Sequence, residues 1–187
     1  MPERTLRRAV FLDRDGTLNV DTGYVARPED VRLLPNAAEG ARALTDAGYE
    51  LVIVSNQSGI ARGMMTTARA DAVDAKLLEL LRDGGVTVTA SYRCPHLPGG
   101  RVAEYSVECD CRKPKPGMIL QAARELGLDL AASWTIGDGA RDVEAGLAAG
   151  TRAILISADD PAPRDDRSVL HAKDLLDAAR IVATRDE

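Results

Sequence analysis

The sequence predicts an α/β fold, a Rossmann-like three-layer α/β/α sandwich around a central parallel sheet. Three observations carry that expectation. Short apolar runs alternate with helical segments along most of the 187 residues. Most of those runs are continuous, as strands buried on both faces are. Polar clusters follow three of them, at Asp13 to Thr17, Ser55 to Ser58 and Asp138. In open α/β sheets ligands bind at the carboxyl ends of the strands, so spacing alone gathers these clusters at one rim.

Ala9 to Leu12 is a short apolar run and reads as a buried strand. A helix follows from about Asn36 to Ala47, closed by Gly48. Leu51 to Val54 is the second strand. Thr66 caps a helix that runs to about Arg82, ended by Gly84 and Gly85. Val86 to Tyr92 alternates like a third strand. Residues 93–116 then lose all period and are rich in Pro, Gly and Cys. Gly117 to Leu126 returns to helix, Trp134 to Gly137 is the fourth strand, and Arg141 to Ala149 is a helix. Arg152 to Ile156 is the fifth strand, Asp159 to Asp166 a polar loop, and His171 to Ala183 a closing helix. No repeat or linker divides the chain, so residues 1–187 are expected to form one domain.

Composition narrows the function classes. The net charge is -5, which disfavours anionic partners such as nucleic acid or a membrane surface. Aromatics make up 3%, too few for platforms that stack single-stranded bases. No stretch approaches the roughly 20 apolar residues of a membrane span. The basic segment Met1 to Arg8 lacks a signal-peptide core. A cytoplasmic protein is expected, and a monomer.

The strongest chemical signal is Phe11-Leu-Asp-Arg-Asp-Gly-Thr-Leu18. Asp13 and Asp15 leave a strand two residues apart. Two carboxylates so close repel unless a cation offsets them, and magnesium prefers such oxygen ligands. Ser55, Asn56, Gln57 and Ser58 offer hydroxyl, amide and backbone donors for phosphate oxygens. Arg112-Lys-Pro-Lys-Pro-Gly117 supplies three cations. Arg112 can bind a phosphate or sugar oxygen with two parallel N–H groups, as a lysine cannot. Gly137-Asp-Gly139 suggests a dinucleotide fingerprint, but the third glycine falls at Asp142 and the fingerprint fails.

All three cysteines and one of the two histidines fall within 93–116. Cys94-Pro-His96 and Cys109-Asp-Cys111 offer three thiolates and an imidazole, a set that suits tetrahedral zinc. Four protein ligands close the shell, so this zinc is expected to be structural. It would order a segment too long to be fixed cheaply, and with it the adjacent Arg112 and Lys113.

Taken together, these segments resemble the haloacid dehalogenase superfamily, whose first motif is Asp-x-Asp-Gly-Thr. The set of Asp loop, Ser-Asn-Gln-Ser-Gly and Cys-x-His…Cys-x-Cys-Arg-Lys-Pro looks like the D-glycero-D-manno-heptose 1,7-bisphosphate 7-phosphatases, with histidinol-phosphate phosphatases as near relatives. The resemblance runs from about Phe11 to Gly150. It implies a magnesium-dependent phosphatase acting on a small sugar bisphosphate. Asp13 would be the nucleophile and form an aspartyl-phosphate, and Asp15 the general acid and base. Ser55 would match the second motif and Lys113 the third. Asp138 would complete a magnesium site with Asp13 and Asp15, with Asp142 as a supporting acid. Asp21, Thr22, Gly23 and Tyr24 would contact substrate, together with Ser55, Asn56, Gln57, Ser58, Arg112 and Lys113. Many members carry a lysine immediately after the fourth-motif aspartate, where this chain has Gly139. No large insertion separates the motifs, so no large cap domain is expected. The alternatives are a histidinol-phosphate or other small sugar-bisphosphate phosphatase, a zinc-stabilised binding module without chemistry, and a nucleic-acid end phosphatase.

Overall fold

A computed structural model describes residues 6–156 and 169–185. The expected loop from Asp159 to Asp166 lies outside them. The strands are β1 (Ala9–Leu12), β2 (Glu50–Asn56), β3 (Ala90–Cys94), β4 (Trp134–Gly137), β5 (Arg152–Ile156) and β6 (Val169–Ala172). The helices are α1 (Ala37–Asp46), α2 (Thr67–Asp83), α3 (Gly117–Leu126), α4 (Ala140–Ala149) and α5 (Leu175–Arg185). The strands form one six-stranded sheet in the order β3-β2-β1-β4-β5-β6, and every pairing is parallel.

Side chains alternate across each strand, and the two faces bury different helices. Val10 and Leu12 of β1 join Leu51, Ile53, Trp134 and Ile136 beneath α1, α2 and α5. Ala9 and Phe11 point the other way, with Val52 and Val54, onto Met118, Ile119 and Ala122 of α3 and Ala145 of α4. Phe11 is completely buried. Truncating a ring so enclosed costs about 3–5 kcal/mol. The sandwich thus has three layers, as the apolar runs imply. Thr66 caps α2 as predicted, its hydroxyl accepting from the Arg69 amide at 3.2 Å.

Two elements differ from the sequence reading. The third strand starts later and runs further, over Ala90–Cys94 instead of Val86 to Tyr92. Val86 and Val88 do pack into the core, which explains their alternation. Pairing with β2 begins only where the Thr89 amide reaches the Leu51 carbonyl at 2.8 Å. The shift makes Cys94 the last residue of a strand. The second difference is β6, which the reading absorbed into a closing helix from His171. Val169 to Ala172 instead pairs with β5 as an edge strand, and the helix starts at Leu175. The signal for that start is Asp174, whose carboxylate accepts from the Asp177 amide at 2.9 Å.

β1 lies at the centre, where strand order reverses between the β2 and β4 sides. That reversal is the switch point at which such sheets bind ligands. Asp13 follows β1, Asp138 follows β4, and Ser55 and Asn56 end β2.

Candidate active site

Asp13 continues the sheet ladder, its amide donating to the Ile136 carbonyl at 3.0 Å. Its carboxylate is buried against Lys113, whose Nζ lies 2.7 Å from Asp13 Oδ1. The same ammonium lies 2.6 Å from Asp142 Oδ1 and donates to the Val54 carbonyl at 2.6 Å. It therefore donates to one carboxylate and one carbonyl and ion-pairs with a second carboxylate. Burial pulls the Lys113 pKa down, but Asp13 and Asp142 more than offset that, and the ammonium is held charged. Burial pushes the Asp13 carboxyl up, Lys113 draws it back and Asp142 adds to the rise, leaving it at about 6. At neutral pH Asp13 is therefore ionised and able to attack.

The backbone of Lys113 is fixed as firmly as its side chain. Asn56 Nδ2 donates to the Lys113 carbonyl at 3.0 Å, and the Lys113 amide donates to Asn56 Oδ1 at 3.0 Å. The sequence reading assigned Asn56 to sugar. Its amide holds the lysine backbone, and Asn56 also lines the cavity described below.

Asp13, Asp138 and Asp142 bring carboxylate oxygens within 4.8 Å of one another. Burial, then Asp142, raises the Asp138 pKa as well. Gly16 permits this approach: it sits at φ +85°, and a Cβ there would lie 2.0 Å from Asp138 Oδ2. Three hard oxygen donors with one fully paired ammonium among them leave uncompensated negative charge, which a divalent cation such as magnesium fits.

Asp15 has a different setting from the one expected. Its carboxylate is not in the three-acid group. Arg14 donates to it at 2.9 and 3.1 Å, Asn19 Nδ2 at 2.8 Å and Gln57 Nε2 at 2.8 Å. Arg14 is itself buried and anchored by Asp74 of α2 at 2.7 Å, and Asp74 also binds Arg93 of β3 at 2.9 Å. The guanidinium pulls Asp15 away from the acidic cluster and fixes its direction. Gln57 in turn donates to Ser55 Oγ at 2.7 Å.

A cavity of about 310 Å³ opens over these groups. Asp13, Asp15, Asp21, Gly23, Tyr24, Ser55, Asn56, Gln57, Ser58 and Arg112 line it, all predicted from sequence. Thr22 is exposed and is not among the lining residues. Arg141 does line the cavity, and sequence reasoning assigned it no role. Its signal was its place in the run Ile136-Gly-Asp-Gly-Ala-Arg-Asp142.

The cysteine loop closes on itself beside the site. Sγ of Cys94 and Cys109 are 3.6 Å apart, and Sγ of Cys109 and Cys111 are 3.4 Å apart. His96 Nδ1 is 3.7 Å from Cys94 Sγ and 3.3 Å from Cys111 Sγ. The sulfurs are too far apart for a disulfide. Zn–S bonds of about 2.3 Å at tetrahedral angles set ligand edges near ~3.7 Å, so the four atoms are spaced for one ion. Arg112 Nη1 donates to the His96 carbonyl at 3.2 Å, tying the loop to the cavity wall.

The fold and this constellation define a haloacid dehalogenase-type hydrolase. The "HAD-hyrolase-like" family model matches residues 110–178. More particularly, the chain belongs to the D-glycero-β-D-manno-heptose-1,7-bisphosphate 7-phosphatase family. It is 47% identical to the enzyme of that name from Yersinia pestis over 79% of each chain. It is 44% identical to that of Escherichia coli strain K12, over 79% of this chain and 78% of the relative. Among solved structures it is similar to the D,D-heptose 1,7-bisphosphate phosphatase of B. bronchiseptica complexed with magnesium and phosphate. The TM-score is 0.82 at 32% identity, covering 95% of this chain and 99% of that one. A putative HAD-like phosphatase from Mesorhizobium loti gives a TM-score of 0.84 at 36% identity, covering 95% and 86%.

Proposed function

We propose that this chain removes the 7-phosphate of D-glycero-D-manno-heptose 1,7-bisphosphate, giving the heptose 1-phosphate. The observation that carries the reading is the buried Asp13–Lys113–Asp142 set at the end of the central strand, beneath a cavity with arginines on its wall. Asp13 Oδ attacks phosphorus and the ester oxygen leaves, taking a proton from Asp15. The aspartyl-phosphate is then attacked by water, whose proton returns to Asp15. Phosphate departs and both carboxyl groups are restored. Arg14, Asn19 and Gln57 aim Asp15 at the leaving oxygen and then at the water. Lys113 holds Asp13 and balances charge without titrating. Magnesium, when bound by Asp13 and Asp138 with Asp142 beside them, supplies charge neutralisation for the phosphoryl oxygens. Zinc held by Cys94, His96, Cys109 and Cys111 would be structural and would keep Arg112 and Lys113 in place.

A small phosphosugar fits a cavity of this size, and Arg112 suits its second phosphate. The test is phosphate release, with magnesium, from both anomers of heptose 1,7-bisphosphate and from histidinol phosphate. Turnover of either heptose anomer well above histidinol phosphate is expected. Absence of release from any sugar bisphosphate refutes the assignment. Preference for histidinol phosphate transfers it to that neighbouring activity.

A further inference from the structure

We propose that Arg141 grips the phosphoryl group under attack at Asp13, and that Gly139 is what leaves room for it to do so. The inference rests on the phosphatase reading and adds to it a residue that binds the transferring group.

The first observation is what the cations of the site are doing. Lys113 is buried, donates to Asp13 and to the Val54 carbonyl, and ion-pairs with Asp142. Its single charge is already set against two buried carboxylates, and it is not among the residues that line the cavity. The cationic side chains on the cavity wall are Arg112 and Arg141. Arg112 is tied to the His96 carbonyl of the zinc loop. Among the described residues, the Arg141 guanidinium makes no hydrogen bond. Its closest carboxylate atoms are Asp138 Oδ1 at 3.7 Å and Asp142 Oδ1 at 4.0 Å, both beyond hydrogen-bond reach.

Those two acids are also the ones that stand with Asp13. The guanidinium is therefore held near the point of attack by charge, yet it keeps five N–H donors uncommitted. Such a planar fork matches phosphate oxygens with two parallel bonds. Burial works against the charge of Arg141, but Asp142, Asp13, Asp138 and Asp21 together outweigh it. The half-exposed side chain can swing the short distance to a ligand without breaking a bond.

The second observation is steric. A Cβ placed on Gly139 would lie 3.4 Å from Arg141 Cζ and 3.6 Å from its Cγ. The guanidinium thus packs over the bare backbone of Gly139 at contact distance, and a side chain longer than a methyl group there would compete for the same place. A cation absent at 139 is replaced by one reaching back from 141. The bland alternative is a surface arginine loosely paired along a helix, which contributes almost nothing.

The experiment compares Arg141→Ala, Arg112→Ala and the double variant Gly139→Lys with Arg141→Ala. Rates are read on heptose 1,7-bisphosphate and on p-nitrophenyl phosphate, and affinity is read for inorganic phosphate in the presence of magnesium. Arg141→Ala is expected to lower kcat/KM by about 10- to 100-fold on both esters and to weaken inorganic phosphate by a similar factor, the scale of one charge-assisted contact. Arg112→Ala should act mainly on the bisphosphate. The double variant should recover part of the loss, because the lysine returns a cation to the vacated space. Unchanged phosphate affinity in Arg141→Ala overturns the proposal. So does a loss confined to the bisphosphate, which would put Arg141 on the second phosphate. Failure of the wild type to hydrolyse the bisphosphate would instead refute the substrate assignment, and the inorganic phosphate arm would still decide the role of Arg141.

Discussion

Replacing Cys109 and Cys111 together by serine removes two of the three thiolates of the cysteine loop. The cost follows from the loop that a bound zinc would close. Cys94 ends β3, and Cys111 stands just before Arg112 and Lys113. Crosslinking a loop of that length removes about 3 kcal/mol of chain entropy from the unfolded state. For a domain of this size each kcal/mol moves the melting temperature by about 2–4 °C. The serine variant should therefore lose its zinc and melt about 6–12 °C lower. Activity should fall further than stability, because the lysine beside Asp13 is carried by the released segment. The assay pairs elemental analysis with thermal unfolding and phosphate release. A wild type containing no zinc when purified in its presence would refute the reasoning. A zinc-free variant that melts at the wild-type temperature would refute it equally.

Three further perturbations probe the acidic site. Asp13→Asn should abolish turnover while the protein still folds. Its stability has a pH signature: folding raises the Asp13 pKa from 3.8 to about 6, so the native state favours the proton and loses stability as pH rises through that interval. Without added magnesium, the wild type should therefore lose stability relative to the Asn variant as pH rises between about 4 and 6, read by urea unfolding. Lys113→Ala leaves Asp13 and Asp142 buried without their cation. A loss of about 3–5 kcal/mol is expected in the same assay, with no measurable turnover. Gly16→Ala drives a methyl group into Asp138 at a backbone angle that suits glycine. Its half-saturating magnesium concentration should rise by at least about tenfold, and normal magnesium dependence would count against Asp138 as a ligand.

Much of this architecture was legible in the sequence because its strands are buried on both faces. Val10, Phe11, Ile53 and Ile154 read as strand from apolar content alone. The edges were harder. Val86 and Val88 alternate because they pack on the core, and no periodicity tells such packing from pairing. Val169 to Ala172 is a short, half-buried edge, too brief to outweigh the helix after it. In the site, the motif residues announced themselves by spacing and by resemblance. Which atoms they touch did not follow. Nothing in the order of residues says that Arg14 turns Asp15 away from Asp13, or that Asn56 holds the backbone of Lys113. Those choices depend on Asp74 and Lys113, which are distant in sequence and adjacent only after folding.

The reciprocal pair of bonds between Asn56 and Lys113 has a consequence for how the family can change. The charge beside Asp13 is delivered by an irregular segment, yet it is latched to the last residue of β2 and knotted by the cysteines. Between His96 and Cys109 lies chain that neither holds the knot nor meets the latch. Insertions or deletions there would leave the lysine in register. Changes of length in the enclosed stretch are thus uncoupled from the position of the lysine beside Asp13.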